Sequence, residues 1–259
     1  VNSSIIDEVF IGDCRLILGD CTQVMPALEP VDAVVTDPPY LVSKGGFASN
    51  LQLEGGFGGW MKDYGNSGDI VKCDLAFTDW AGVVYDALPD RSHAYFMTNG
   101  RNIKDMQGAL ENSGFKLHTL LVWDKRAALP NKYYQNVTEF CLFMYKGKAF
   151  TIKDPSSKNL VSLFQRDESE HPTEKPKELM ALWIKNSSDV GQTILDPFMG
   201  SGTTGVACVK TGRKFIGIEL DRKYFDIACQ RVQDAYKQPD MFVTPPAKPV
   251  QQALPMGVK

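Results

Sequence analysis

The sequence predicts a wound α/β protein on one mostly parallel sheet, and three observations carry that prediction. Short apolar runs alternate with segments whose apolar residues recur every three or four positions, the rhythm of strand and helix. Acids and glycines stand where apolar runs end, as in "VVTDPPY" and "TILDPFMGSGTT". The length, 259 residues, suits one large α/β domain, and 43% hydrophobic with 23% charged residues is ordinary for a globular chain.

Taken in order, Arg15–Gly19 and Asp32–Thr36 are short apolar strands. Leu75–Leu88 follows as a helix, with Trp80, Val83, Val84 and Ala87 on one face. Ser92–Thr98 is a strand, and Asn102–Ser113 is a helix with Ile103, Met106 and Leu110 inward. Phe115–Trp123 and Thr138–Lys146 are longer strands rich in aromatic and branched residues, joined by a polar loop. The rhythm restarts with a helix over Pro176–Asn186, opened by a proline that a first turn tolerates. Gln192–Leu195 is a strand, Thr203–Thr211 a helix stopped by Gly212, and Lys214–Leu220 another strand. Asp221 is placed to cap a last helix with a stripe of Phe225, Ala228, Val232 and Ala235.

A single folded domain is expected over residues 1–237, with three interruptions. Residues 41–74 are loaded with glycine and predict a mobile loop. Residues 124–136 and 147–170 are polar and irregular, and 238–259 form a flexible tail with five prolines. No apolar run approaches the ~20 residues of a membrane span. The start, "VNSSIIDEVF", lacks the basic head and apolar stretch of a secretory signal, so a cytoplasmic location is expected.

Composition excludes several classes of function. The six cysteines, at 14, 21, 73, 141, 208 and 229, form no C-x-x-C pair and read as reduced thiols. The three histidines are dispersed, so no metal is expected. A net charge of −3 argues against coating nucleic acid by charge alone, though Lys125, Arg126 and Lys132 offer a local basic cluster or a solvated loop.

Two strand ends carry candidate chemistry. In "TILDPFMGSGTT" a strand ends in Asp196, a loop holds Gly200, Ser201 and Gly202, and a helix begins at Thr203. Glycines let backbone approach a ligand, and a helix start offers free N–H groups; the bland alternative is a tight turn. The segment lacks the lysine of a phosphate-binding P-loop. The next strand ends in Glu219, seventeen residues after Gly202, where an acid accepts from the hydroxyls of a ribose. A nucleoside-bearing cofactor is therefore favoured over a surface acid. In "VVTDPPY" the strand ends in Asp37, and Pro38 and Pro39 fix the backbone before Tyr40. Such a rigid hook suits a planar substrate with an amino group: acid and carbonyl accept its hydrogens while the tyrosine stacks. A chance turn is the alternative.

"TDPPY", followed by "HPTEKP" and "LDPFMGSGTT", resembles the S-adenosylmethionine-dependent DNA amino-methyltransferases, most closely the N6-adenine members. The order, hook first and glycine loop second, resembles their circularly permuted beta group. The resemblance covers 14–40 and 171–236 well and the middle only by element type. It implies a Rossmann-like methyltransferase fold, a mostly parallel seven-stranded sheet with one antiparallel strand. It also implies S-adenosyl-L-methionine as cofactor and double-stranded DNA as partner, with the target base flipped. Asp37, Pro38 and Tyr40 would hold that base, with Pro39 shaping the hook and Asp37 also facing the cofactor. Asp196, Pro197, Phe198, Gly200, Ser201, Gly202 and Thr203 would line the methionine side. Glu219, beside Leu220, would hold the ribose, and Asp20 with Cys21 would approach the adenine. Thr173 and Lys175 would hold the cofactor's carboxylate while His171 orders the loop.

Lys44, Lys125, Arg126, Lys132, Tyr133 and Tyr134 are the candidate DNA contacts. Relatives acting on cytosine N4 more often carry serine at the hook's acid, so Asp37 favours adenine. Cytosine N4 and a non-catalytic DNA-binding relative are the alternatives. A homodimer is left open, and no restriction endonuclease partner is legible.

Overall fold

The computed structural model describes residues 4–39, 75–126, 134–163 and 175–238. Its strands are β1 (Ile5–Ile11), β2 (Cys14–Gly19), β3 (Ala33–Thr36), β4 (Ser92–Thr98), β5 (Lys116–Asp124), β6 (Thr138–Lys146), β7 (Leu160–Ser162), β8 (Thr193–Asp196) and β9 (Lys214–Glu219). The helices are α1 (Cys21–Val24), α2 (Phe77–Asp86), α3 (Ile103–Asn112), α4 (Lys177–Ser187), α5 (Thr203–Thr211) and α6 (Arg222–Lys237). The strands form one sheet in the order β1-β2-β9-β8-β3-β4-β6-β5-β7.

Within it the seven strands from β2 to β5 run parallel except β6, which is antiparallel to both β4 and β5. That is the expected arrangement. Two edge strands extend it: β1 pairs antiparallel with β2, and β7 lies parallel to β5. Neither was legible, because β1 carries Asp7 and Glu8 mid-strand with Ile6 and Phe10 exposed, and β7 is only three residues long.

Both sheet faces are covered, so the inner strands are apolar on both sides. Leu16, Val35, Tyr95 and Ile194 pack with Leu179, Val206 and Phe225 of α4, α5 and α6. Ile17, Val34, Phe96 and Leu195 pack with Trp80, Met106 and Leu110 of α2 and α3 on the other face. The expected stripe of α6, Phe225, Ala228, Val232 and Ala235, is buried throughout.

Residues 147–163, expected as an irregular insertion, are fastened to this core. Phe150 stacks on the buried His93 ring at 3.8 Å, and its carbonyl lies 3.2 Å from His93 Nε2. His93 Nδ1 meets Ser187 Oγ at 2.8 Å, and that hydroxyl meets Tyr95 OH at 2.7 Å. Burial pushes His93 down to about 4, so the ring is neutral at physiological pH. Further along, the Lys153 and Asp154 N–H groups donate to the backbone and side chain of Asn186 on α4. Among the described residues no helix is long and apolar enough to cross a membrane.

Candidate active site

The carboxyl ends of the parallel strands bring a row of acids to one edge of the sheet. Asp20 follows β2, Glu219 ends β9, Asp196 ends β8 and Asp37 follows β3. Glu139 joins them because β6 runs the other way and starts where its neighbours finish. Ligands of wound sheets bind along this edge.

Asp196 joins the two sequence motifs. Its Oδ1 accepts from Thr36 Oγ1 at 2.6 Å, across 160 residues of chain, and from the Phe198 N–H at 3.1 Å. The carboxylate, expected on the methionine side, is buried and braces β3 and the loop. Burial pushes its carboxyl up to about 6, against bonds from Thr36, Thr204 and the Phe198 N–H that favour ionisation. The folded state therefore holds this proton more tightly than an unfolded chain with the ordinary value of 3.8. The resulting stability is complete below pH ~4 and is lost as pH rises through ~6, a change of about 2–3 kcal/mol. Urea unfolding should show the native protein losing about that much relative to Asp196→Asn across this window. A constant difference between the two proteins would contradict it.

The glycine loop is shaped by close contacts. Gly200 and Gly202 have φ of +50° and +82°, the left-handed region. A Cβ on Gly202 would lie 2.9 Å from Ala228 Cβ on α6, whereas one on Gly200 would enter open space. Pro197 is buried, and Phe198 packs edge-on against Trp80 with centroids 5.4 Å apart. Arg231 of α6, unnoticed in the sequence, donates to the Ser201 carbonyl at 2.8 Å and hydroxyl at 2.7 Å. The same nitrogen lies 3.5 Å from Oγ1 of half-buried Thr203. The Ser201 hydroxyl, expected toward the cofactor, is thus engaged by α6.

Glu219 ties the loop to the strand beside it. Its Oε2 accepts from the Gly200 N–H at 3.0 Å; Oε1 accepts from the N–H groups of Leu220 at 2.9 Å and Asp221 at 2.8 Å. Burial raises its carboxyl, and those three donors act in the opposite direction. Leu220 next to it is 62% exposed, an apolar side chain left at the surface.

Asp37 lies at the centre of the edge. Pro38 is buried and Pro39 half-buried, so the start of the hook is packed into the core. Asp37 Oδ2 is 2.7 Å from Lys175 Nζ, and Glu139 Oε2 is 3.3 Å from the same ammonium. Lys125 Nζ holds the other oxygen of Glu139 at 3.3 Å. Burial works to lower the Lys175 ammonium, but the carboxylates of Asp37 and Glu139 outweigh it and raise it well above the ordinary lysine value. Lys175 was expected at the cofactor's carboxylate; two protein carboxylates occupy it. Lys125, expected on DNA phosphates, is half-buried on Glu139.

Other expectations resolve locally. Asp20 caps α1, accepting from the Thr22 N–H at 2.9 Å and hydroxyl at 2.8 Å, and the Cys21 thiol is buried in the core. Both residues were expected to approach the cofactor's adenine. Arg126 is exposed with φ +56°, and Tyr134 is 93% exposed. Tyr40, Lys44, Lys132, Tyr133, His171 and Thr173 lie outside the described residues, as do the 41–74 loop and all of the tail after residue 238.

The chain is similar to known proteins in sequence and in fold. The family model described as DNA methylase matches residues 31–230. The Type II methyltransferase M2.DpnII of Streptococcus pneumoniae is 30% identical over 234 residues, covering 79% of this chain and 83% of the relative. The crystal structure of the M1.HpyAVI–SAM complex superposes with a TM-score of 0.64 at 25% identity, covering 84% of this chain and 99% of that one. The PvuII DNA methyltransferase, described as cytosine-N4-specific, shares the fold with a TM-score of 0.65 at 18% identity, over 86% and 91% of the two chains. A family match running from the strand before the hook into the last helix spans both motifs and the adjacent strands β3 and β8 that bear them, and the chain belongs to the DNA methylase family.

Proposed function

We propose that this protein transfers a methyl group from S-adenosylmethionine to the exocyclic N6 amine of adenine in duplex DNA, with the target base turned out of the helix. The observation that carries the reading is the Thr36–Asp196 bond, which holds the hook and the glycine loop on adjacent strands.

The residues present fit the cofactor. A carboxylate has about four acceptor positions, and Glu219 spends three on backbone N–H groups. One ribose hydroxyl is accommodated directly; a second requires the Gly200 N–H to leave Oε2. Exposed Leu220 supplies an apolar surface for an adenine ring, and the open space beside Gly200 admits a ligand against the backbone. Arg231 holds the loop's Ser201 in place. When bound, the cofactor supplies a methyl group activated by a positively charged sulfur.

The hook's task is to present the amine. An exocyclic amine is a poor nucleophile because its lone pair is shared with the ring. Acceptors bonding its hydrogens favour a pyramidal nitrogen, so the gain comes from positioning and electrostatics. Asp37 supplies one acceptor and a hook carbonyl the other, while Pro38 and Pro39 fix the backbone and Tyr40 stacks on the base. Asp37, ion-paired with Lys175, is a holder of the amine and not a strong base; the surplus proton leaves to solvent. Arg126, Tyr134, Lys44, Lys132 and Tyr133 are the proposed DNA contacts.

The fold does not select the base, since the PvuII enzyme shares it. The choice of adenine rests on the acid at the head of the hook. Incubation with tritiated cofactor and plasmid DNA, then nucleoside digestion and mass spectrometry, is expected to find N6-methyladenine. N4-methylcytosine would overturn the choice of base, and no incorporation would favour a non-catalytic DNA-binding relative.

A further inference from the structure

We propose that Glu139 is a positioning residue for methyl transfer, acting through Lys175 on the Asp37 carboxylate; this rests on the reading of Asp37 as holder of the amine. Glu139 is the second residue of β6, and only the reversed direction of that strand puts it on the edge where the hook lies. Lys175, just before α4, bridges Asp37 and Glu139 with its side chain 10% exposed.

One carboxylate is enough to neutralise one enclosed ammonium, yet this ammonium has two. The second has a reason if Asp37 must turn hydrogen-bonding capacity to a substrate. Glu139 then keeps Lys175 satisfied, and Lys175 keeps Asp37 Oδ2 and its rotamer in place. The Lys175–Glu139 contact, 3.3 Å against 2.7 Å to Asp37, is the longer of the two, so it works as charge more than as a directed bond.

Charge counting gives the same role. In the transfer, the amine lone pair forms a bond to the methyl carbon and the carbon–sulfur bond breaks, its electron pair staying on sulfur. Positive charge thereby leaves sulfur and arrives on nitrogen, which later gives one proton to solvent. Asp37 with Lys175 is a neutral pair; adding Glu139 makes the group net negative where the positive charge appears. Lys125 brings the formal count of all four groups to zero, but it binds the far oxygen of Glu139, one contact further from Asp37, so the negative side of the group faces the reacting nitrogen.

The test uses the full-length protein and its Glu139→Gln and Glu139→Asp variants. Removing one charge at this remove should lower kcat by about 10- to 50-fold in Glu139→Gln. KM for DNA and cofactor affinity should stay within about threefold, and Glu139→Asp should recover part of kcat. Without cofactor, labelling of Lys175 by an amine-reactive reagent, read by mass spectrometry, should accelerate several-fold in the Gln variant. If that variant does not fold, the Asp variant carries the test, with reduced kcat at unchanged KM expected. Unimpaired kcat in an active enzyme, unchanged Lys175 labelling, or a loss confined to KM would overturn the role of Glu139. A native protein inactive on every DNA would instead overturn the methyl-transfer reading, and this role with it.

Discussion

Asp37→Asn is expected to lower methyl transfer by about a thousandfold or more while the protein stays folded and still binds S-adenosylmethionine, the scale of losing the principal electrostatic contact to a reacting group. Asparagine keeps the shape of the hook but not its charge, and its amide donates where the acid accepts. An amine bonded to it is no longer pulled toward a pyramidal geometry. The fold should survive because Lys175 retains Glu139 as counter-ion. Cofactor affinity should survive because Glu219 and the glycine loop stand on β9 and after β8, with Asp196 still braced by Thr36. Single-turnover kinetics and calorimetry on one preparation separate the effects. Turnover above a tenth of native would remove Asp37 from the chemistry, and lost cofactor affinity would move it to the cofactor site.

Glu219→Gln should weaken cofactor binding by about 10- to 100-fold, the cost of losing a charge-assisted bond to a sugar hydroxyl. The variant matters, because Glu219→Ala would strand three backbone donors and disturb the loop as well as the ligand. Glutamine retains one oxygen for Leu220 and Asp221 and turns an amide toward the Gly200 N–H, so the local cost falls on Gly200. Calorimetry reads the affinity, and thermal unfolding checks that the fold is kept. Native affinity in a folded variant would show that the ribose is held elsewhere.

Much of the fold was legible because its signals are local. β4, β6 and α5 lie where their apolar patterns placed them, since strand alternation, helical spacing and terminal glycines act within a few residues. β1 was missed because charges in mid-strand break the pattern, and its partner β2 supplies the support that the pattern lacks. Residues 147–163 looked irregular because their anchors, His93 and Asn186, lie on other elements. Arg231 gave no signal within an amphipathic helix, as its target is a loop thirty residues earlier.

By itself the sequence determined the class of sheet, the two strand ends that bear the motifs and the residue types they present. Proline and glycine restrict backbone angles wherever they occur, and apolar periodicity needs only its own segment. Only the tertiary structure decided what each polar side chain faces. Asp196 turns inward to Thr36, Asp20 caps a helix, and Lys175 lies between Asp37 and Glu139. Those partners depend on strand order and on β6 running backward through the sheet. Charges buried at such an edge must find counter-charges from whatever elements the packing brings near, and that is a property of the assembled sheet.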